Sequence, residues 1–98
     1  MEILFKIETK YLSDVKDILL TDDIVSRASV LFREAGSMGF KEDGYYCFIS
    51  GLEEACKRAK ELIKDKAKEI TDKNKGKVIN KIKEDESKAI EGFGNIFG

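Results

Sequence analysis

The 98-residue sequence predicts an α+β fold, mostly helical, with a two-stranded parallel sheet in the order β-α-α-β-α-α. Three patterns lead there. Residues 2–9 alternate, with Ile3, Phe5 and Ile7 on one face and Glu2, Leu4, Lys6 and Glu8 on the other, as in a half-buried strand. Tyr45-Tyr46-Cys47-Phe48-Ile49 is apolar or aromatic on both faces, as a well-covered strand is. Between Leu52 and Phe93, apolar residues recur at three and four positions, the spacing of amphipathic helices.

The elements follow in order. Ser13 is placed to cap a short helix through Leu20, with Val15, Ile18 and Leu19 on its inner side. Thr21 opens a longer helix whose first turn holds Asp22 and Asp23, where carboxylates favour the dipole. Its inner face is Ile24, Val25, Ala28, Leu31, Phe32 and Ala35, and Gly36 suits its end. Gly36 to Gly44 is rich in glycine and polar residues and reads as a loop.

After the second strand, Ser50 and Glu53 have the spacing of a capping box. The helix they open carries Leu52, Ala55, Cys56, Ala59, Leu62, Ile63, Ala67 and Ile70 and runs to about Thr71. Residues 72–77 break it, and a last helix spans about Val78 to Ile90 with the stripe Val78, Ile79, Ile82, Ala89, Ile90 and Phe93. A two-helix hairpin is favoured over one helix kinked at Gly76, although an interior glycine costs only about 1 kcal/mol. Residues 1–91 then form one domain, with strand-helix-helix-strand over 1–50 and a helix pair over 51–91. Residues 92–98 are a tail of glycine and phenylalanine.

Two such stripes exceed what two strands can cover. Burying a Val, Ile or Phe side chain is worth ~1.5–3 kcal/mol, so a stripe of six is not left in water. The expectation is a homo-oligomer, with a dimer favoured, in which pairing between two copies completes the sheet and removes its open edges.

Composition narrows the class. Charged residues make up 38% of the chain, and mean hydropathy is −0.34. No apolar run approaches the roughly 18 residues of a membrane span. The start Glu2-Ile3-Leu4-Phe5 lacks the layout of a signal peptide, so a cytoplasmic location is expected. Lysine outnumbers arginine fifteen to three and glutamine is absent, a trend of heat-adapted proteins. Cys47 and Cys56 are too few for a disulfide framework and sit where buried, reduced thiols pack as small hydrophobes.

Charge is segregated. Residues 1–56 carry a balance of −5 and residues 57–88 a balance of +5. That asymmetry suits a basic surface for an anionic partner or attraction between copies.

Catalytic constellations do not emerge. Histidine, the usual base near neutrality, is absent. The pairs Asp22-Asp23 and Glu53-Glu54 and the run Glu84-Asp85-Glu86 diverge around a helix instead of converging on one atom. Gly36-Ser37-Met38-Gly39 lacks the lysine of a phosphate-binding loop. Asp72-Lys73-Asn74 opens like a calcium loop, but Gly76 and Lys83 stand where oxygen ligands are needed. The reading is of a protein without enzymatic activity, cofactor or metal.

Two stretches resemble known families. Tyr46 to Ile63 (apolar strand, Gly51, acidic helix start, Ala59 packing toward Ile63), with the Gly36–Gly39 loop before it, resembles the closing strand and helix of KH RNA-binding domains. Ile96-Phe97-Gly98 resembles the hydrophobic–tyrosine–any ending with which proteasome activators dock, with Phe97 in place of tyrosine. The second resemblance implies a protein partner reached through Phe93, Ile96 and Phe97.

The leading expectation is thus a small protein that acts by protein–protein contact. The alternative is a non-specific RNA- or DNA-binding protein using a basic helical hairpin around residues 64–83, with Lys73, Lys75, Lys77 and Lys81 as phosphate contacts. No membrane partner is expected.

Overall fold

The computed structural model describes residues 1–84. Phe93, Ile96 and Phe97 lie outside the described residues, as do Ala89 and Ile90. Among the described residues the elements are β1 (Glu2–Ile7), α1 (Leu12–Thr21), β2 (Ser29–Glu34), β3 (Tyr45–Ser50), α2 (Glu53–Ile63), β4 (Ala67–Glu69) and a helix α3 over 73–84. They build a four-stranded sheet in the order β2-β3-β1-β4, with every neighbouring pair antiparallel. Two split β-α-β units interlock in it: β1-α1-β2 is separated by β3, and β3-α2-β4 by β1. This is the ferredoxin-like strand order.

The sheet is the middle of three layers. Ile3, Phe5 and Ile7 of β1 and Cys47 and Ile49 of β3 pack on Val15 and Leu19 of α1, on Cys56, Ala59 and Ile63 of α2, and on Val25. Leu4, Tyr46 and Phe48 point the other way and pack on Val78, Ile79 and Ile82 of α3 and on Ala35 and Met38. The alternation read in residues 2–9 is realised, with both faces of β1 covered.

The two-stranded parallel sheet in β-α-α-β-α-α order is overturned. Two segments read as helix are strands. Ile24, Val25, Ala28, Leu31, Phe32 and Ala35 fit a helical stripe, but the chain turns at 22–28 and pairs residues 29–34 with β3 along its whole length. Asp22 caps that turn: its Oδ1 accepts the backbone N–H of Ile24 at 3.1 Å and of Val25 at 3.0 Å. A strand satisfies consecutive Val30-Leu31-Phe32 better, because Val30 and Phe32 reach one core and Leu31 the other.

The second correction is at residues 64–72. Ala67 packs on the α1–α2 side and Ile70 on the α3 side, opposite faces that one helical stripe does not reach. β4 pairs with β1 there, and the Ile70 N–H continues the ladder to the Leu4 carbonyl at 2.9 Å. Neither a hairpin of helices nor one kinked helix forms. Gly76 lies inside α3, and Asp72 marks the helix boundary through its Oδ1, which accepts the Asn74 N–H at 2.9 Å.

Two caps also differ. α1 has no side-chain cap from Ser13, and α2 starts without the Ser50–Glu53 box. Glu53 pairs instead with Lys57 at 2.8 Å, one turn on.

With four strands, most of the described part of both stripes is covered within one copy. Val78, Ile79 and Ile82 are buried, and the large apolar residues left exposed among the described residues are Met1, Leu20 and Leu52. The sheet does not need a second copy to complete it. No helix among the described residues is long and apolar enough to cross a membrane.

Candidate functional site

The antiparallel registers place four polar or aromatic side chains in one row across the sheet. Arg33 of β2 lies opposite Tyr46 of β3, Tyr46 opposite Lys6 of β1, and Lys6 opposite Lys68 of β4. Opposed residues share a face, and this is the face of Leu4 and Phe48, which α3 covers. α3 crosses the apolar row Leu31–Phe48–Leu4 and leaves the polar row beside its N-terminal turn. The result is a cleft of about 360 Å³ lined by Lys6, Tyr46, Lys68, Thr71, Asn74 and Lys77, among others.

The turn before β3 builds its outer wall. Gly44 holds a left-handed φ of 95°, and a Cβ there would lie 2.6 Å from the Ile7 carbonyl oxygen, so only glycine lets the turn close on β1. That closure sets Glu42 over the sheet. Its carboxylate accepts the Tyr46 hydroxyl at 2.6 Å and the Lys6 ammonium at 2.9 Å. Phe40 meets Tyr46 edge to face at 5.6 Å, and Lys6 lies 4.9 Å over the Tyr46 ring.

The electrostatics are asymmetric. The Tyr46 hydrogen bond, then Lys6, holds the Glu42 carboxyl below its ordinary value. Burial, then Glu42, pushes the Tyr46 phenol up, so it remains a donor. Each acid in the cleft is already engaged: Glu42 as described, Glu69 with Lys60 at 2.9 Å, and Asp72 as the cap of α3. Among the described residues Lys68 and Lys77 have no ion-pair partner.

Lys6 against Lys68 is a conflict in the sheet. Like charges directly opposed on neighbouring strands destabilise a pair that opposite charges would favour by roughly 0.2–1 kcal/mol. Glu42 offsets Lys6 alone. An anion bound between them turns the repulsion into attraction.

The cleft continues around the β4 edge. A second cleft of about 310 Å³ shares Lys6 and Lys68 with the first and adds Glu8, Tyr11, Asp65, Lys66 and Ala67. Lys10 and Lys66 lie 5.0 and 5.6 Å over the Tyr11 ring.

The sequence-derived lysines are dispersed. Lys77 lines the first cleft, whereas Lys75 donates to the Glu2 carbonyl at 3.1 Å at the opposite end of β1. Lys73 is exposed on the first turn of α3, and Lys81 lies further along that helix. The helical hairpin over 64–83 that was to carry them does not exist. The convergence of Lys6, Glu42 and Tyr46 with Lys68 is not legible in the sequence, because it needs β4, which the helical period conceals. The alternation around Lys66-Ala67-Lys68 was the available signal.

Among the described residues no group of acidic, cysteine or histidine side chains could hold a metal ion. Both thiols are buried and free. Burial raises the Cys47 thiol to about 12, so neither a thiolate nucleophile nor a ligand is at hand there. No family model, curated protein or solved structure matches the chain. The strand order says nothing about activity, since that arrangement hosts many unrelated functions.

Proposed function

We propose that the protein is a binding module that takes a phosphate-bearing anion in the cleft between β1, β4 and the start of α3. The carrying observation is the opposed Lys6–Lys68 pair, joined by Lys77, with Glu69 and Asp72 committed elsewhere and Glu42 shared between Tyr46 and Lys6. Three ammonium groups suit an anion with two or more charges better than a carboxylate. Lysine binds phosphate as a point charge, without the planar fork that selects carboxylates. The cleft lies at the small end of the roughly 300–1,000 Å³ range of ligand pockets, which fits a phosphate with a modest group attached. Thr71 and Asn74 supply hydroxyl and amide groups to orient it, and Phe40 an apolar wall.

Association between copies, the leading expectation from sequence, drew on a stripe of which Val78, Ile79 and Ile82 are covered within one copy, while Ala89, Ile90 and Phe93 lie outside the described residues. The anion reading draws instead on the basic second half of the chain. The test is a titration of ¹⁵N-labelled protein with inorganic pyrophosphate at low salt. Saturable shifts centred on Lys6, Tyr46, Lys68, Asn74 and Lys77 are expected. Shifts that stay absent at millimolar pyrophosphate, or that centre on another face, refute it.

A further inference from the structure

We infer that the anion is a segment of single-stranded nucleic acid, whose backbone follows the two joined clefts around the β4 edge. This rests on the anion-binding reading and extends it to a substrate class. The two clefts share Lys6 and Lys68, so they form one groove instead of two sites. Along it the cations run from Lys77 through Lys68 and Lys6 to Lys66 and Lys10. Two of them are in ion pairs, Lys6 with Glu42 at 2.9 Å and Lys10 with Glu8 at 3.4 Å. A groove with repeated cations is longer than a single phosphate needs and matches a chain of them.

Aromatic rings stand at both ends. Phe40 is half-buried beside the first cleft and Tyr11 half-buried beside the second. Sequence-tolerant binding of single strands combines a basic groove along the backbone with rings on which bases stack. Lys66 rests over the Tyr11 ring; its movement onto a phosphate leaves that face open to a base. Duplex DNA offers no unstacked base to these rings, and among the described residues no helix projects from this edge to enter a major groove. The acidic total charge of the chain sets a weak, salt-sensitive interaction confined to this edge.

The experiment compares a fluorescent ten-nucleotide oligouridylate with inorganic pyrophosphate, for the full chain and for Lys66→Glu. The decamer is expected to bind at least ten-fold more tightly than pyrophosphate at low salt. With three phosphates neutralised by Lys66, Lys68 and Lys77, the slope of log affinity against log salt should be about −2. Lys66→Glu should weaken the decamer five-fold or more and leave pyrophosphate unchanged. Lys10→Glu, at the other lysine beside the Tyr11 ring, repeats this should Lys66→Glu fold poorly. Pyrophosphate binding with a decamer no tighter overturns this inference and leaves the anion site standing, whereas failure of both ligands removes the two together. A duplex of equal length that binds as well, or inorganic polyphosphate that competes as well as the decamer, overturns the assignment to single-stranded nucleic acid.

Discussion

The Tyr46 hydroxyl donates to the Glu42 carboxylate at 2.6 Å, and the Lys6 ammonium reaches the same oxygen at 2.9 Å. Glu42 is therefore both the strut of the turn over the cleft and the one acid that competes with a bound anion for Lys6. Glu42→Gln should raise pyrophosphate affinity several-fold by calorimetry. The stability change should stay within a few tenths of a kcal/mol, since the carboxylate is more than half exposed.

The pH dependence has a defined sign. The Glu42 carboxyl titrates below its ordinary 4.5 in the folded chain, so its contribution is complete above that pH and fades as pH falls through the lowered value. The wild type should lose stability faster than Glu42→Gln below about pH 4.5. Denaturant midpoints at pH 7 and pH 3.5 for both chains measure it.

Gly44 is a second point of control. Its φ of 95° and the 2.6 Å approach to the Ile7 carbonyl exclude any Cβ. Gly44→Ala should cost ~1–3 kcal/mol. That corresponds to a melting temperature lower by ~4–8 °C per kcal/mol for a domain of this size. Pyrophosphate affinity should fall with it, because the same turn places Phe40, the apolar wall of the cleft.

The thiols report on opening of the core. Cys47 and Cys56 are both fully buried, and burial pushes the Cys47 thiol up to about 12 and the Cys56 thiol upward as well. Alkylation by iodoacetamide at pH 8 should be negligible in the folded chain and complete for both thiols in denaturant. Rapid labelling of the folded chain at either cysteine contradicts the three-layer packing.

Arg33 guards the outer strand. Its guanidinium folds back and donates to the Phe32 carbonyl at 3.0 Å on the edge strand β2. Charged cover of this kind keeps an open edge from pairing with another chain. Arg33→Ala should show concentration-dependent association in sedimentation velocity at concentrations where the wild type does not change.

The legible and illegible parts of the fold divide on physical grounds. β1, β3 and the starts of α1 and α2 follow from patterns with one solution: strict alternation, a short run apolar on both faces, or a stripe ended by a turn. β2 and β4 do not. Val30-Leu31-Phe32 and the Ala67–Ile70 spacing satisfy helical and extended periods alike, and the decision belongs to β3 and β1, which are remote in sequence. With β2 and β4 concealed by the helical period, Val78, Ile79 and Ile82 read as uncovered although the sheet covers them within one copy; Ala89, Ile90 and Phe93 of that stripe lie outside the described residues. The candidate site suffered the same fate. Its lysines come from positions 6, 68 and 77, and only the registers put them in one cleft.

The opposed lysines can be tested through stability and binding at once. Thermal unfolding of the wild type and of Lys68→Thr, with and without pyrophosphate, is the direct measurement. Without ligand, Lys68→Thr should melt at the same or a higher temperature, because a like-charge cross-strand pair is gone and a β-favouring residue stands in its place. With pyrophosphate at a hundred times its dissociation constant, the wild type should gain about 2.7 kcal/mol. The variant should gain far less. A Lys68→Thr chain that melts lower without ligand, and rises as much as the wild type with it, would show that the two ammonium groups serve the sheet and bind nothing.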